Sequence, residues 1–219
     1  MNKTIANIIS VVFHPLTITT YIMIVLLMLN PFLFGKNSLE QGGGLIAQVF
    51  FTTFFLPALA VAMMKGLGLI ESFQMVDKKE RIIPYITTAM FYLWIFMTTH
   101  KNPNIPVVFV SAMLGTIISI FISFFINNFS KISAHAVGVG GFIGIIAVTL
   151  RWFAYSYFYI NFQGQKIEIA TFWVFISALV IGGLVCSARL WLNAHTMKDI
   201  IGGFIVGIFG QWAAITYLL

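Results

Sequence analysis

"NPNIPVVFVSAMLGTIISIFISFFINNFS", Asn102 to Ser130, runs through twenty-nine residues without a single charge. A helix of about 20 residues crosses a hydrocarbon core roughly 30 Å thick, so this stretch is long enough to span a membrane. Its apolar residues form a continuous run, not the alternating apolar and polar positions of a barrel strand. Only helices and closed barrels satisfy the backbone in lipid, and the run therefore reads as a transmembrane helix.

Cutting the chain at its charges gives comparable runs on either side, at 4–35, 41–64, 82–100, 132–150, 169–188 and 200–219. The expected fold is an all-α polytopic membrane bundle with six or seven transmembrane spans. The first run either spans whole or begins as an interfacial helix that turns at His14-Pro15. The fifth is expected to continue past Arg151 to about Asn161. With 60% hydrophobic and 8% charged residues, the chain lies outside the range of a soluble domain. A formal charge of +6 on such a chain has no soluble face to carry it, so the expected partner is the bilayer and not nucleic acid. The N-terminus has a long apolar stretch without a small-residue cleavage site and reads as an uncleaved span. Cys186 is the one cysteine, which leaves no intramolecular disulfide. Repeats and linkers are absent, and residues 1–219 read as one domain.

Seven spans alternate the loops between two faces. One face gathers "ESFQMVDKKERIIPY", "NNFSKISAHAVGVGG" and "SARLWLNAHTMKD", bringing Lys78, Lys79, Arg81, Lys131, Ser133, His135, Arg189, His195 and Asp199 to one membrane surface. The other holds Lys36, Glu40, "HKNPNIP" and "NFQGQKIEIA". Cations at span ends ordinarily anchor a helix at the interface. The arrangement Arg-x5-His-x3-Asp at 189, 195 and 199 asks for more. If the last helix begins near Asn193, His195 and Asp199 lie one turn apart and the carboxylate reaches the imidazole. Arg189 joins them only if the chain turns between spans six and seven.

A histidine held by a carboxylate on one nitrogen presents the other as a base or nucleophile, the role assigned to His195 with Asp199. Arg81 and Arg189 offer planar, permanently charged forks suited to phosphate oxygens. His135, beside the hydroxyl of Ser133, is placed to act as general acid toward the leaving oxygen. The set describes in-line phosphoryl transfer without a metal or other cofactor: the available ligands are His135, His195 and Asp199, and the surrounding cations repel a divalent ion. The glycines of "GVGGFIG", 138–144, and of Gly202-Gly203 read as close helix packing.

These three loops resemble the three signatures of the type 2 phosphatidic acid phosphatase superfamily, membrane lipid phosphatases related to vanadium haloperoxidases. The family pattern KxxxxxxRP, PSGH, SRxxxxxHxxxD is matched in its last part at Arg189, His195 and Asp199. Its second part corresponds to "ISAHAVG" with Ser133 and His135, and its first loosely to "KKERIIP" with Arg81. The resemblance covers residues 74–203. It implies that His195 forms a phosphohistidine, that Asp199 orients it, that His135 protonates the leaving group, and that Arg81, Arg189 and Ser133 hold phosphate. The sequence departs from the pattern at Ile132, Ala134 and Ala188. Gln74 stands where the family has Lys, and Pro84 follows the Arg by three. Lys78 is assigned the missing lysine's role, with Lys79 and Lys131 as substitutes.

The function so implied is hydrolysis of a lipid phosphate or diphosphate, phosphatidate-like or polyprenyl-type. The same site could instead serve a lipid phosphotransferase, and a transporter binding anionic headgroups is a rival from another class. Vanadate is expected to bind the pocket. The family's sites usually face away from the cytoplasm, so the expected setting is a bacterial cytoplasmic membrane with the site outside. Arg151, in the expected fifth span, requires a partner in the bundle or contact with water. His14 and His100 read as interfacial or structural.

Overall fold

The computed structural model describes residues 2–73, 75, 77, 79–162 and 165–219. Helix α1 (Lys3–Val12) leads into α2 (Pro15–Leu29), and α3 (Gly43–Phe50) continues through a π-helical turn (Phe51–Phe55) into α4 (Leu56–Gly66). A short 3-10 turn (Lys79–Arg81) opens α5 (Ile82–Thr99). Helices α6 (Val107–Phe129) and α7 (Ala134–Trp152) follow, then a hairpin of β1 (Tyr157–Phe162) and β2 (Gln165–Ala170), α8 (Phe172–Trp191) and α9 (Met197–Leu218). Among the described residues six helical stretches are long and apolar enough to cross a membrane, and the bent pair α1–α2 can make a seventh. The protein is an integral membrane helix bundle.

The bend between α1 and α2 is 59°. Proline has no N–H to extend the preceding helix, and its ring pushes the residue before it out of helical conformation. His14 is accordingly extended (φ −62°, ψ 141°), and Pro15 opens α2 at a position where its missing donor costs nothing. Helix α1 packs against α8, burying Ala6 and Ser10, while Ile8 and Val11 remain exposed. The turn expected at His14-Pro15 is thus present.

Helices α7 and α9 form the centre, with α6 and α8 beside them. Lipid is as apolar as leucine, so helices in a bilayer associate through close packing, which small residues permit. A Cβ on Gly203 would stand 2.7 Å from the Ser133 carbonyl oxygen, and one on Gly207 would collide with the Val137 oxygen and the Gly141 nitrogen. Across the interface a Cβ on Gly140 would run into the Phe204 backbone. The packing reading of these glycines holds for Gly203, whereas its neighbour Gly202 faces open space. Ile22 and Leu26 from α2, Phe109 and Met113 from α6, and Ile145 and Ile146 from α7 fill the core around this contact.

Helix α7 stops at Trp152, nine residues short of the end expected for the fifth span. From Tyr157 the chain pairs antiparallel, Tyr157 opposite Ala170 and Ile160 opposite Ile167. Of residues 157–160 Phe158 alone is buried, with Tyr157, Tyr159 and Ile160 exposed. Aromatic and β-branched residues suit a half-buried strand, and that preference is what the count of apolar residues concealed. The earlier stop also moves Arg151 out of mid-membrane. It is exposed in the last turn of α7, with its guanidinium 5.8 Å from the Trp152 ring, at the end of the bundle opposite the site. A cation there complements the helix C-terminus.

Candidate active site

The loop between α8 and α9 is short because α8 closes on a tight cap. Asn193 adopts a left-handed conformation (φ 51°), its N–H donates to the Leu190 carbonyl at 2.9 Å, and Ala194 N–H donates to the Arg189 carbonyl at 3.2 Å. This is the paired bonding of a Schellman motif, in which asparagine is a tolerated substitute for glycine. The reversal carries His195 back toward Arg189, the turn that the six-residue spacing required.

Helix α9 begins at Met197, later than the start near Asn193 assumed from the sequence, and His195 lies outside it. A capping box still brings the carboxylate to the imidazole. Thr196 is the N-cap: its hydroxyl accepts the Asp199 N–H at 3.3 Å, while the Asp199 carboxylate accepts the Thr196 N–H at 2.9 Å. That fold-back leaves Asp199 Oδ2 3.5 Å from His195 Nδ1. The His195 side chain is only 7% exposed, and its Nε2 makes no hydrogen bond among the described residues.

Burial, followed by the charges of Arg189 and Arg81, pushes the His195 imidazole down from 6.5 to about 4, against the opposing pull of Asp199. Both guanidiniums therefore act on the same ring. Arg81 reaches it from the start of α5, half-buried, with Nε donating to the Met75 carbonyl at 2.8 Å.

Ser133 is fully buried and caps α7, its hydroxyl accepting the Ala136 N–H at 3.4 Å. Its own N–H donates to the Asp199 backbone carbonyl at 3.2 Å, tying the N-termini of α7 and α9 together. Two helix N-termini at one place add partial positive charge to that of the arginines, a setting suited to an anion. His135, the second residue of α7, has Nε2 3.0 Å from the Ser10 carbonyl oxygen. A carbonyl only accepts, so this nitrogen carries a proton. Arg189 Nη1 donates to the Ser10 hydroxyl at 3.3 Å, and Arg189 Nε is buried without a partner among the described residues.

The structure thus brings Arg81, Ser133, His135, Arg189, His195 and Asp199 to one end of the bundle. Lys79 and Lys131 are exposed, and their ammonium groups make no hydrogen bond or ion pair among the described residues, although the Lys79 backbone N–H donates to Asp77 Oδ1 at 3.0 Å. Lys78 and Gln74 lie outside the described residues. Two groups at the site were not anticipated from the sequence: Ser10, which contacts both His135 and Arg189, and His14, whose ring packs edge-on against His135 with centroids 5.5 Å apart. The available signal was position, since His14-Pro15 falls at a helix start on the same face as the three loops. Among the described residues, no three His, Cys, Asp or Glu side chains are grouped as metal ligands.

No curated protein and no solved structure matches the chain. A family model does, over the stretch that carries Ser133, His135, Arg189, His195 and Asp199 and excludes Arg81. Residues 123–219 match the model of the PAP2 superfamily, whose members generally hydrolyse phosphate esters.

Proposed function

We propose that this protein is a lipid phosphatase working through a phosphohistidine on His195, without a metal. The observation that carries this reading is the His195 imidazole 3.5 Å from Asp199, its pKa pushed down to about 4 by burial and by Arg189 and Arg81, in a pocket of arginine charge and helix N-termini. His195 Nε2 attacks phosphorus as the bond to the lipid oxygen breaks. A bound phosphate dianion favours the imidazolium of His135, which gives its proton to the departing oxygen. Water then displaces His195, returning a proton to His135 and releasing inorganic phosphate. Arg81, Arg189 and Ser133 hold the non-bridging oxygens. Lys78, Lys79 and Lys131 enter only as long, flexible cations able to fold inward on a bound anion.

A lipid substrate, phosphatidate-like or polyprenyl, follows from a site at the end of spanning helices with little soluble structure around it. Residues before 123 contribute Ser10, His14 and Arg81 to the same site, which supports reading 1–219 as one domain. Purified protein is expected to release phosphate from a panel of lipid phosphates and diphosphates in excess EDTA and to be inhibited by vanadate. Loss in chelator that one divalent metal restores overturns the metal-free mechanism. Transfer to a second alcohol without free phosphate favours the transferase, and binding without turnover the transporter.

The site is proposed to face away from the cytoplasm. Eight Lys and Arg lie on its face, but five of them are candidate phosphate ligands, leaving Lys3, Lys65 and Lys198. The far face has Lys36, Lys101 and Lys166, and Arg151 now adds a fourth. The positive-inside tendency then favours the far face as cytoplasmic. Ser130→Cys in a Cys186→Ala background is expected to react with an impermeant thiol reagent in intact cells; labelling only after lysis reverses the orientation.

A further inference from the structure

His14 caps α2, its Nδ1 accepting the Leu16 N–H at 3.3 Å. Asparagine, aspartate, serine and threonine make such a cap at least as well, so capping alone does not account for an imidazole here. With Nδ1 occupied as acceptor, the proton of the neutral ring sits on Nε2. That nitrogen makes no hydrogen bond among the described residues. The ring stands against His135 at an interplanar angle of 81°, and Arg189 is close enough to act on its charge. Ser10, four residues earlier, contacts both of those side chains. His14 sits at the 59° bend between α1 and α2, outside both helices.

We propose that His14 is a substrate-binding residue whose Nε2–H donates to an oxygen of the phosphoryl group on the His135 side of the site. The role rests on the phosphatase reading for its substrate but not for its anion. A neutral donor adds a hydrogen bond to phosphate without adding a further charge to the repulsion between Arg81 and Arg189, which a lysine there would do. Its place in the first thirty residues also explains why α1 and α2 are bent toward a site built mainly by α7, α8 and α9.

His14→Asn preserves the cap and removes the ring, and His14→Ser is a second substitution of the same kind. Each is measured in the full-length protein in detergent for thermal unfolding, for orthovanadate binding by calorimetry, and for kcat and KM on a lipid phosphate. Unfolding is expected to stay at the wild-type temperature while vanadate affinity falls about tenfold and kcat/KM about 10- to 100-fold, as for loss of a hydrogen bond to a charged group. Weakened vanadate binding in a protein that hydrolyses no lipid phosphate sinks the phosphatase and leaves His14 as an anion ligand. Wild-type vanadate binding by both stable variants makes His14 a cap and nothing more, and absence of vanadate binding by the wild type removes the proposal altogether.

Discussion

His195→Ala is expected to bring lipid phosphate turnover to background while leaving the bundle folded. The imidazole lies in the loop between α8 and α9, outside the hydrophobic core and the glycine contacts of α7 with α9, so its loss removes the proposed nucleophile without opening that contact. Asp199→Asn is expected to lower kcat by about 10³- to 10⁴-fold, the scale seen when the carboxylate of a comparable histidine pair is replaced by an amide. An amide can present its N–H to Nδ1 and favour the wrong tautomer. The pH profile adds a signature. Reaction requires neutral His195, and with its pKa pushed down to about 4 the enzyme's own acid limb of kcat/KM, separated from the substrate's second phosphate ionisation at about 6, should lie well below the ordinary 6.5. Asp199 pulls that value upward, so Asp199→Asn should move the limb lower still. The same depression has a stability consequence. Between pH 6.5 and about 4 the unfolded chain binds the proton that the folded chain refuses, and folding weakens as pH falls through that window. An enzyme ionisation near pH 6.5 beyond that of the substrate, or a limb that Asp199→Asn moves upward, would contradict the electrostatics described here.

Gly207→Ala is expected to destabilise the protein by about 2–3 kcal/mol, at the upper end of overpacking costs, because its methyl group would meet two backbone atoms of α7 that cannot rotate aside. Gly203→Ala should act similarly and closer to the chemistry, since its Cβ would press on the Ser133 carbonyl and part the two helix N-termini. Gly202→Ala is the internal control. Its Cβ meets nothing within 4 Å, and alanine in a helix is favoured over glycine by about 1 kcal/mol, so stability should hold or rise. Thermal unfolding of the three variants in one detergent checks this. Equal effects at 202 and 207 would mean that α7 and α9 do not approach as described.

The bundle was legible in the sequence because uncharged runs about twenty residues long have few alternatives in a membrane. Arg189, His195 and Asp199 were legible because their spacing demands a turn followed by a helix start, and Asn193 and Thr196 provide them. The route was not. His195 was expected on the helix with Asp199, whereas the capping box folds the carboxylate back toward it, a feature of side-chain bonding that periodicity does not register. The hairpin at 157–170 was missed because its aromatic residues count as apolar under either period. His14 was read as interfacial or structural, yet its partners come from α7 and α8, more than a hundred residues away in sequence. Within the first signature, Arg81 reaches the site from a short 3-10 turn, while Lys78 lies outside the described residues.

The central claim is that phosphate passes through His195. Purified protein mixed with radiolabelled lipid phosphate in EDTA, quenched within one turnover under alkaline conditions and digested, should yield one labelled peptide, containing residue 195, whose label is stable to base and lost in acid. His195→Ala should yield none. Label on another residue, or product formed at the wild-type rate with no labelled protein at any time within the first turnover, would contradict the mechanism.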